Sequence, residues 1–400
     1  MKPGWEVKPL GEMIEPLETV DPRKEPTERF TYIDVSSVSR AALEVAETSE
    51  VLGARAPSRA RRKVRENDVI FATIRPTLKR IATIPANLDK AVCSTGYMVL
   101  RPKNKLDHRY LFYSLQSESF EREMETLQRG ASYPAVSDGD IRAQKIPIPP
   151  LEEQKRIVAV LDAAFEGLTR AKENAEANLQ NARELFVRTV EERFERLVKV
   201  GQLHCIDQIA QVKGGKRLPK GAKFAQEKTD YPYISVKNFT DDGSVDETGL
   251  GYLDKATHEA INRYIIRKED MYISIAGTIG KTGIIPDVLD GANLTENAAR
   301  LVFVPEVLNE FVYYFSTTAN FQEQVGINTR VAAQPKLALM RLKTVTLPIV
   351  DLKTQRDLIA EFDATRLRCL ELEAEYRSKL TDIADLRQSL LQKAFAGELT

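Results

Sequence analysis

The sequence predicts an α+β protein: two similar mixed α/β domains joined by two long helices packed as an antiparallel coiled coil, with a pseudo-two-fold internal repeat. Three observations predict it. A segment around Pro147 recurs around Pro348. Each copy opens with short apolar runs broken by Gly, Pro, Asn and Asp. Each copy closes on a proline-free stretch with an apolar or small residue every three or four positions.

The repeat comes first, because a duplication decides the architecture. KIPIPPLEEQKRIVAVLD echoes as TVTLPIVDLKTQRDLIAEFD, with Pro147 on Pro348, an offset of 201 (348 − 147). Gln154 on Gln355 and Asp162 on Asp363 keep that offset, as do Leu111-Phe112-Tyr113 on Val312-Tyr313-Tyr314, Phe120 on Phe321 and Pro134 on Pro335. Further back, KVRENDVIFATI resembles IIRKEDMYISIA, with Arg65 on Arg267 and Asp68 on Asp270. Tyr32-Ile33 falls on Tyr233-Ile234. Small drifts in offset are what short loop insertions produce.

Residues 1–150 are the first domain. Val69–Ile74 and Tyr97–Arg101 are candidate strands, rich in β-branched and aromatic residues, and Tyr110–Leu127 has a helical pattern. Residues 151–200 are the first long helix. The prolines of IPIPP stop what precedes them, and from Glu152 to Lys199 the single glycine is Gly167. Ile157, Leu161, Ala164, Leu168, Ala171, Ala175, Ala182 and Leu185 form a heptad seam, in which Asn178 replaces an apolar residue. Residues 201–350 are the second domain, with candidate strands Tyr233–Val236, Met271–Ile275 and Arg300–Val304 and a helical pattern over Glu310–Val325. Residues 351–400 are the second long helix. Its seam is bulkier: Leu358, Phe362, Thr365, Cys369, Leu372, Tyr376, Ile383, Leu386 and Leu390, with Lys379 aligned on Asn178. Small residues on one helix against large on the other suit close pairing. The alternative is that each helix only covers its own domain. Against it, roughly 48 residues at 1.5 Å each give ~72 Å, longer than a small domain.

A chain of 400 residues accommodates about two to four domains, and 42% hydrophobic residues is ordinary for a globular core. No apolar run is long enough to span a membrane, and MKPGWEVKPLGE lacks the apolar segment of a signal peptide. Cys93, Cys205 and Cys369 are scattered, which is neither a disulfide framework nor a zinc pattern. The expectation is a reduced, cytoplasmic protein without a membrane partner.

Lys+Arg and Asp+Glu balance at 58 each, so local charge carries the information. Residues 51–80 hold Arg55, Arg59, Arg61, Arg62, Lys63, Arg65, Arg75, Lys79 and Arg80 against Glu66 and Asp68. KGGKRLPKGAK holds Lys213, Lys216, Arg217, Lys220 and Lys223 and no acid. A basic run alone is also what a solvated loop looks like. One in each repeat of a neutral chain points to phosphate. Two similar domains on a paired helical bar suit duplex DNA, whose half-sites face one side every 34–36 Å or so. Candidates for reading base edges are Arg75, Arg129 and Tyr133 in the first copy. In the second they are Lys237, Asn238, Asn293, Asn297 and Arg330. Each is also an ordinary turn or strand-surface residue.

SIAGTIGK, with Thr282-Gly283 after it, looks like a phosphate loop. A nucleotide-binding loop needs a Gly five positions before the Gly of its closing Gly-Lys, but Ile275 stands there and Gly277 comes two residues late. The segment aligns with FATIRPTL. Gly277, Thr278, Gly280 and Lys281 therefore read better as a turn that approaches DNA closely.

These residues resemble the specificity (S) subunit of type I restriction–modification systems over nearly the whole chain. The carriers are IPIPPLEEQKRIVAVLD and its echo, the ending LRQSLLQKAFAGEL, GGKRLPKG with YPYISVKNF, and ISIAGTIGKTGII. The resemblance implies two target recognition domains, each binding half of a split, asymmetric DNA sequence. It also implies long helices that pair antiparallel, set the spacer and dock two modification subunits. S-adenosylmethionine, ATP and Mg would then sit on the modification and restriction subunits, with no cofactor or metal in this chain. The first copy departs from the family pattern in lacking a GKRLPKG-type loop and a closing Gly-Glu-Leu. No enzyme motif competes: His108, His204 and His258 are unclustered, and no Gly-x-Ser-x-Gly elbow or Gly-x-Gly-x-x-Gly turn occurs. The other readings are an assembly scaffold whose basic loops touch no DNA, and an NTPase using Lys281 and Thr282.

Overall fold

The chain is described here by a computed structural model covering residues 2–330 and 335–399. It divides into two compact units, residues 1–176 with 377–400, and residues 177–376.

Period-2 alternation builds the centre of each unit. In the first, Val69–Ala72 pairs antiparallel with both Tyr97–Leu100 and Ile81–Thr83. Alternate side chains of a strand point to opposite faces. Val69 and Phe71 enter one core with Met98 and Leu100, while Ile70 and Ala72 enter another with Tyr97 and Val99. Both faces are covered, so this strand is apolar throughout. A second sheet places Arg29–Ile33 beside Val92–Ser94 in parallel register. The second unit repeats the plan. Met271–Ser274 pairs with Ala298–Phe303 and Thr282–Gly283, Met271 and Ile273 face one core, and Tyr272 faces the other. Pro232–Ile234 runs parallel to Asn293–Leu294.

Each domain closes on an edge pair, Glu6–Pro9 with Lys145–Ile148 and Leu203–Cys205 with Thr346–Pro348. The long helices follow at once, Leu151–Val200 and Leu352–Ala396. Glu152 and Glu153 occupy the first turn of the first helix, which is favourable for the macrodipole. Asp351 accepts from the Lys353 and Thr354 N–H groups at the start of the second. Gly397, at φ +79°, ends it with a Schellman pattern, Glu398 N–H to Lys393 C=O.

The helices pair within each unit. In the first, Ile157, Leu161 and Phe165 share a core with Leu391 and Ala394, with Leu168 half-buried against it. In the second, Val190 and Phe194 share a core with Phe362, with Leu358 half-buried beside them. Arg183 pairs with Glu373 and Arg193 with Glu361, so going up one helix is going down the other. Burial of Phe194 or Phe362 contributes about 2–3 kcal/mol each. An exposed pair such as Arg188–Glu184 contributes about 0.3–0.5 kcal/mol. The seam, not the charged face, holds the helices.

The seam differs in detail from the sequence expectation. Leu185 is 45% exposed and lies outside it. At ~100° per residue the neighbouring Phe186 takes the inward position, against Tyr314. Phe165 rather than Ala164 is the buried residue one turn after Leu161, and Ala171 and Asn178 are exposed. Leu372, Tyr376 and Ile383 are half-buried. The helical patterns over 110–127 and 310–325 are each two helices, His108–Ser114 with Glu118–Leu127 and Asn309–Ser316 with Ala319–Asn328. Ser117 and Thr318 cap the second of each pair and break the run.

Polar clamps recur in both copies. Buried Gln154 accepts from Asp107 N–H and donates to the Lys105 and Pro149 carbonyls. Buried Gln355 does the same with Leu308 N–H and the Glu306 and Val350 carbonyls. The Tyr113 hydroxyl bonds Asp162, and Tyr314 bonds Asp363. Asp68 and Asp270 each hold an arginine, Arg101 and Arg300.

Candidate nucleic-acid interface

One surface element is built twice. In the first unit Ile74 bridges to Ala135, Ala135 bridges to Arg129, and Arg75 N–H donates to the Pro134 carbonyl at 2.7 Å. In the second unit Ala276 bridges to Lys336, which pairs with Arg330. Arg129 aligns with Arg330 and Ala135 with Lys336 in the repeat. The Arg330 side chain and residues 331–334 lie outside the described residues.

The loop after the central strand turns left-handed at two places in both copies, although the second loop is one residue shorter. Gly277 and Gly280 are left-handed, at φ +79° and +87°. Their counterparts Arg75 and Lys79 are also left-handed, at φ +48° and +53°. Glycine adopts this region freely, whereas another residue loses roughly 1–2 kcal/mol. The first copy spends that strain to hold two basic side chains in place. Arg75 is exposed and its guanidinium sits 5.5 Å from the centre of the Tyr133 ring, itself 74% exposed. A guanidinium braced on an exposed aromatic suits base edges and phosphates alike.

The SIAGTIGK segment forms a hairpin between Met271–Ser274 and Thr282–Gly283, not a strand-to-helix phosphate loop. Gly280 N–H bonds the Ser274 carbonyl and Lys281 N–H the Ser274 hydroxyl. The Lys281 ammonium binds the Phe239 carbonyl and Asp241, both at about 2.7–2.8 Å. With these groups turned inward there is no nucleotide cradle, and Lys281 is an anchor of its own domain. Thr278, at the tip, is exposed.

Other candidates separate by what their side chains bond. Arg62 donates to the Tyr97 carbonyl and to both Asp138 oxygens, and Arg80 to the Val35 and Val38 carbonyls. Asn238 is buried and accepts from Ser235 N–H and Oγ. Asn293 is buried against His258 and the Ile261 carbonyl. Each of these four side chains is bonded inside its own domain, unlike the solvent-facing position expected of a DNA contact. Arg61 pairs with Asp21, Lys63 with Glu18, Lys79 with Glu121, Arg129 with Asp140 and Arg217 with Glu296. Surface pairs contribute only about 0–1 kcal/mol, so a phosphate competes with them. Asn297 is half-buried, its carbonyl accepting from Ile275 and Ala276 N–H. Arg59, Lys213, Lys216, Lys220 and Lys237 are exposed, and among the described residues no carboxylate pairs with them. Lys216 lies over the Tyr264 ring at 5.7 Å.

A family model, the type I restriction modification DNA specificity domain, matches residues 3–179 and again 202–382. The chain belongs to this family. It is a DNA sequence-specificity subunit of a type I restriction–modification system. The specificity subunit is 25% identical over 342 residues to that of the type I restriction enzyme MjaVIII of Methanocaldococcus jannaschii, covering 78% of this chain and 75% of that one. It is 21% identical to the EcoKI specificity subunit of Escherichia coli over 77% and 69% of the two chains. Among solved structures, the HsdS subunit from Thermoanaerobacter tengcongensis superposes with a TM-score of 0.70 at 27% identity over 99% and 98% of the chains. A chain from work on complex assembly and conformational transition of the type I R-M system superposes at 0.82, again at 27% identity, over 100% and 99%.

Sequence reasoning missed two participants in the specificity subunit's loop element. Lys336 is exposed and bridges the Ala276 strand end, and Asp140 fixes Arg129 through two bonds. The repeat alignment pointed to Lys336, because it pairs position 336 with 135. Asp140 had no such signal.

Proposed function

We propose that each copy reads its own half of a split, asymmetric DNA site through the loop element shared by the two copies. In the first copy Arg75, Arg129 and Tyr133 face bases, with Arg59 and Lys79 on phosphates. In the second, Thr278, Asn297 and Lys336 face bases, with Lys213, Lys216, Lys220 and Lys237 on phosphates. The observation that carries this is the pair of left-handed positions, glycine in one copy and strained basic residues in the other. Strain retained at the exposed Arg75 points to a functional demand.

The paired helices set the unread spacer. Their outward apolar residues, Leu367, Leu370, Leu185 and Val160, dock two modification subunits. This chain carries no chemistry of its own. S-adenosylmethionine, ATP and Mg belong to the partners. No helix among the described residues is long and apolar enough to cross a membrane, and the reading places the chain in the cytoplasm with its DNA.

The test is duplex binding across a salt series. Affinity should fall linearly with the logarithm of salt, and Lys216→Ala should lower the slope by about one. A flat response would leave the assembly-scaffold reading instead.

A further inference from the structure

A cavity of about 500 Å³ opens in the first unit, between Leu43 and Val45 on one side and Arg109, Phe112, Phe165 and Arg387 on the other. Arg387 comes from the second long helix. Its guanidinium lies 3.9 Å from the centre of the Phe165 ring and donates to the Gln116 side-chain amide oxygen, Oε1, at 2.7 Å. A guanidinium has five N–H donors, and among the described residues no carboxylate pairs with this one. Arg109 pairs with Asp162, yet its Nε is buried and finds no partner among the described residues. Leu43, on the facing wall, is left-handed at φ +55°.

The second copy shows what such a place accepts. At the repeat offset of 201, Phe112 corresponds to Tyr313, Ala41 to Asp242, Phe165 to Arg366 and Arg387 to Phe186. The arginine and the aromatic have exchanged helices. In the second unit Arg366 pairs with the Asp242 carboxylate at 3.5 Å and its carbonyl at 3.3 Å, and the Tyr313 hydroxyl donates to the same carbonyl. That copy covers its arginine with an aspartate from its own loop. Ala41 and Phe112 cannot do so in the first.

We propose that the first domain carries a carboxylate pocket, built on Arg387 and Arg109, that takes an aspartate or glutamate side chain of another polypeptide where the second domain uses its own Asp242. A single acidic side chain fits the aromatic and aliphatic walls. A DNA backbone would bring a row of phosphates past Glu44, on the lining, and Asp162. The proposal is independent of the DNA-reading loops, and its failure leaves them untouched.

The test is thermal unfolding of the full chain with N-acetyl-aspartate N-methylamide, its asparagine counterpart, succinate or inorganic phosphate at matched ionic strength. The capped aspartate should raise the midpoint by about 1–2 °C and the asparagine should not. Arg387→Met keeps an aliphatic stem over Phe165. It should melt no lower than wild type, lose the response and bind duplex unchanged. Should it fail to fold, Ala41→Asp decides: supplying the carboxylate in cis should raise the midpoint and abolish the response. No rise in wild type, an equal rise in Arg387→Met, or an undiminished response in Ala41→Asp overturns the proposal. So does phosphate matching aspartate, succinate exceeding it, or loss of duplex binding in Arg387→Met.

Discussion

At the residue scale, Arg75 separates stability from function. Arg75→Gly relieves a left-handed residue, so stability should hold or rise by up to about 1 kcal/mol. Affinity for the first half-site should fall by about 1–3 kcal/mol. Calorimetry and gel shifts on one preparation check both, and a variant that loses stability without losing affinity contradicts the assignment. Gln154 and Gln355 behave oppositely, since each is buried and bonds three backbone groups. Gln355→Leu should cost about 3 kcal/mol in denaturant unfolding. Asp140 adds a pH signature. The Ser137 hydroxyl and N–H, then Arg129, hold its carboxyl down from 3.8 to about 2. A depressed carboxylate stabilises above its unfolded pKa and loses that contribution as pH falls through the folded one. The stability gap between wild type and Asp140→Ala should be full above about pH 4 and close towards about pH 2. Single residues were the least legible level. Asn238 and Arg62 look like base or phosphate readers by type, but the partners that bury them, Ser235 and Asp138, became visible only in three dimensions.

At the element scale, the long helices were legible because their signal is local: no proline, an apolar residue every third or fourth position and, before the first, a Pro-Pro stop. What the period did not resolve is one residue of phase. Leu185 and Phe186 are both apolar, and only packing on Tyr314 selects Phe186. Leu185→Glu should therefore cost under 1 kcal/mol, as surface changes do, while weakening association with modification subunits, measured by co-purification. Phe194→Ala should cost about 3–5 kcal/mol. Strands were legible as apolar runs, but their partners were not, because pairing Tyr32 with Val92 or Val69 with Thr83 depends on contacts far apart in sequence. The short helices were read as longer ones because Ser117 and Thr318 cap from within an otherwise continuous pattern.

At the scale of the whole molecule, the duplication is the main fact. The aligned clamps Gln154 and Gln355, the Tyr113–Asp162 and Tyr314–Asp363 bonds and the two left-handed loop positions show one fold written twice. The copies diverge in the loop after the central strand, where Arg75 and Lys79 stand against Gly277 and Gly280 in the alignment. Two copies with one scaffold and different tips are suited to two different half-sites. The most direct measurement is to replace residues 1–150 with the matching segment of another specificity subunit and map methylated sites made by the assembled complex. One half of the recognised sequence should change while the other half stays as it was. A change in both halves, or in neither, would contradict two independent readers.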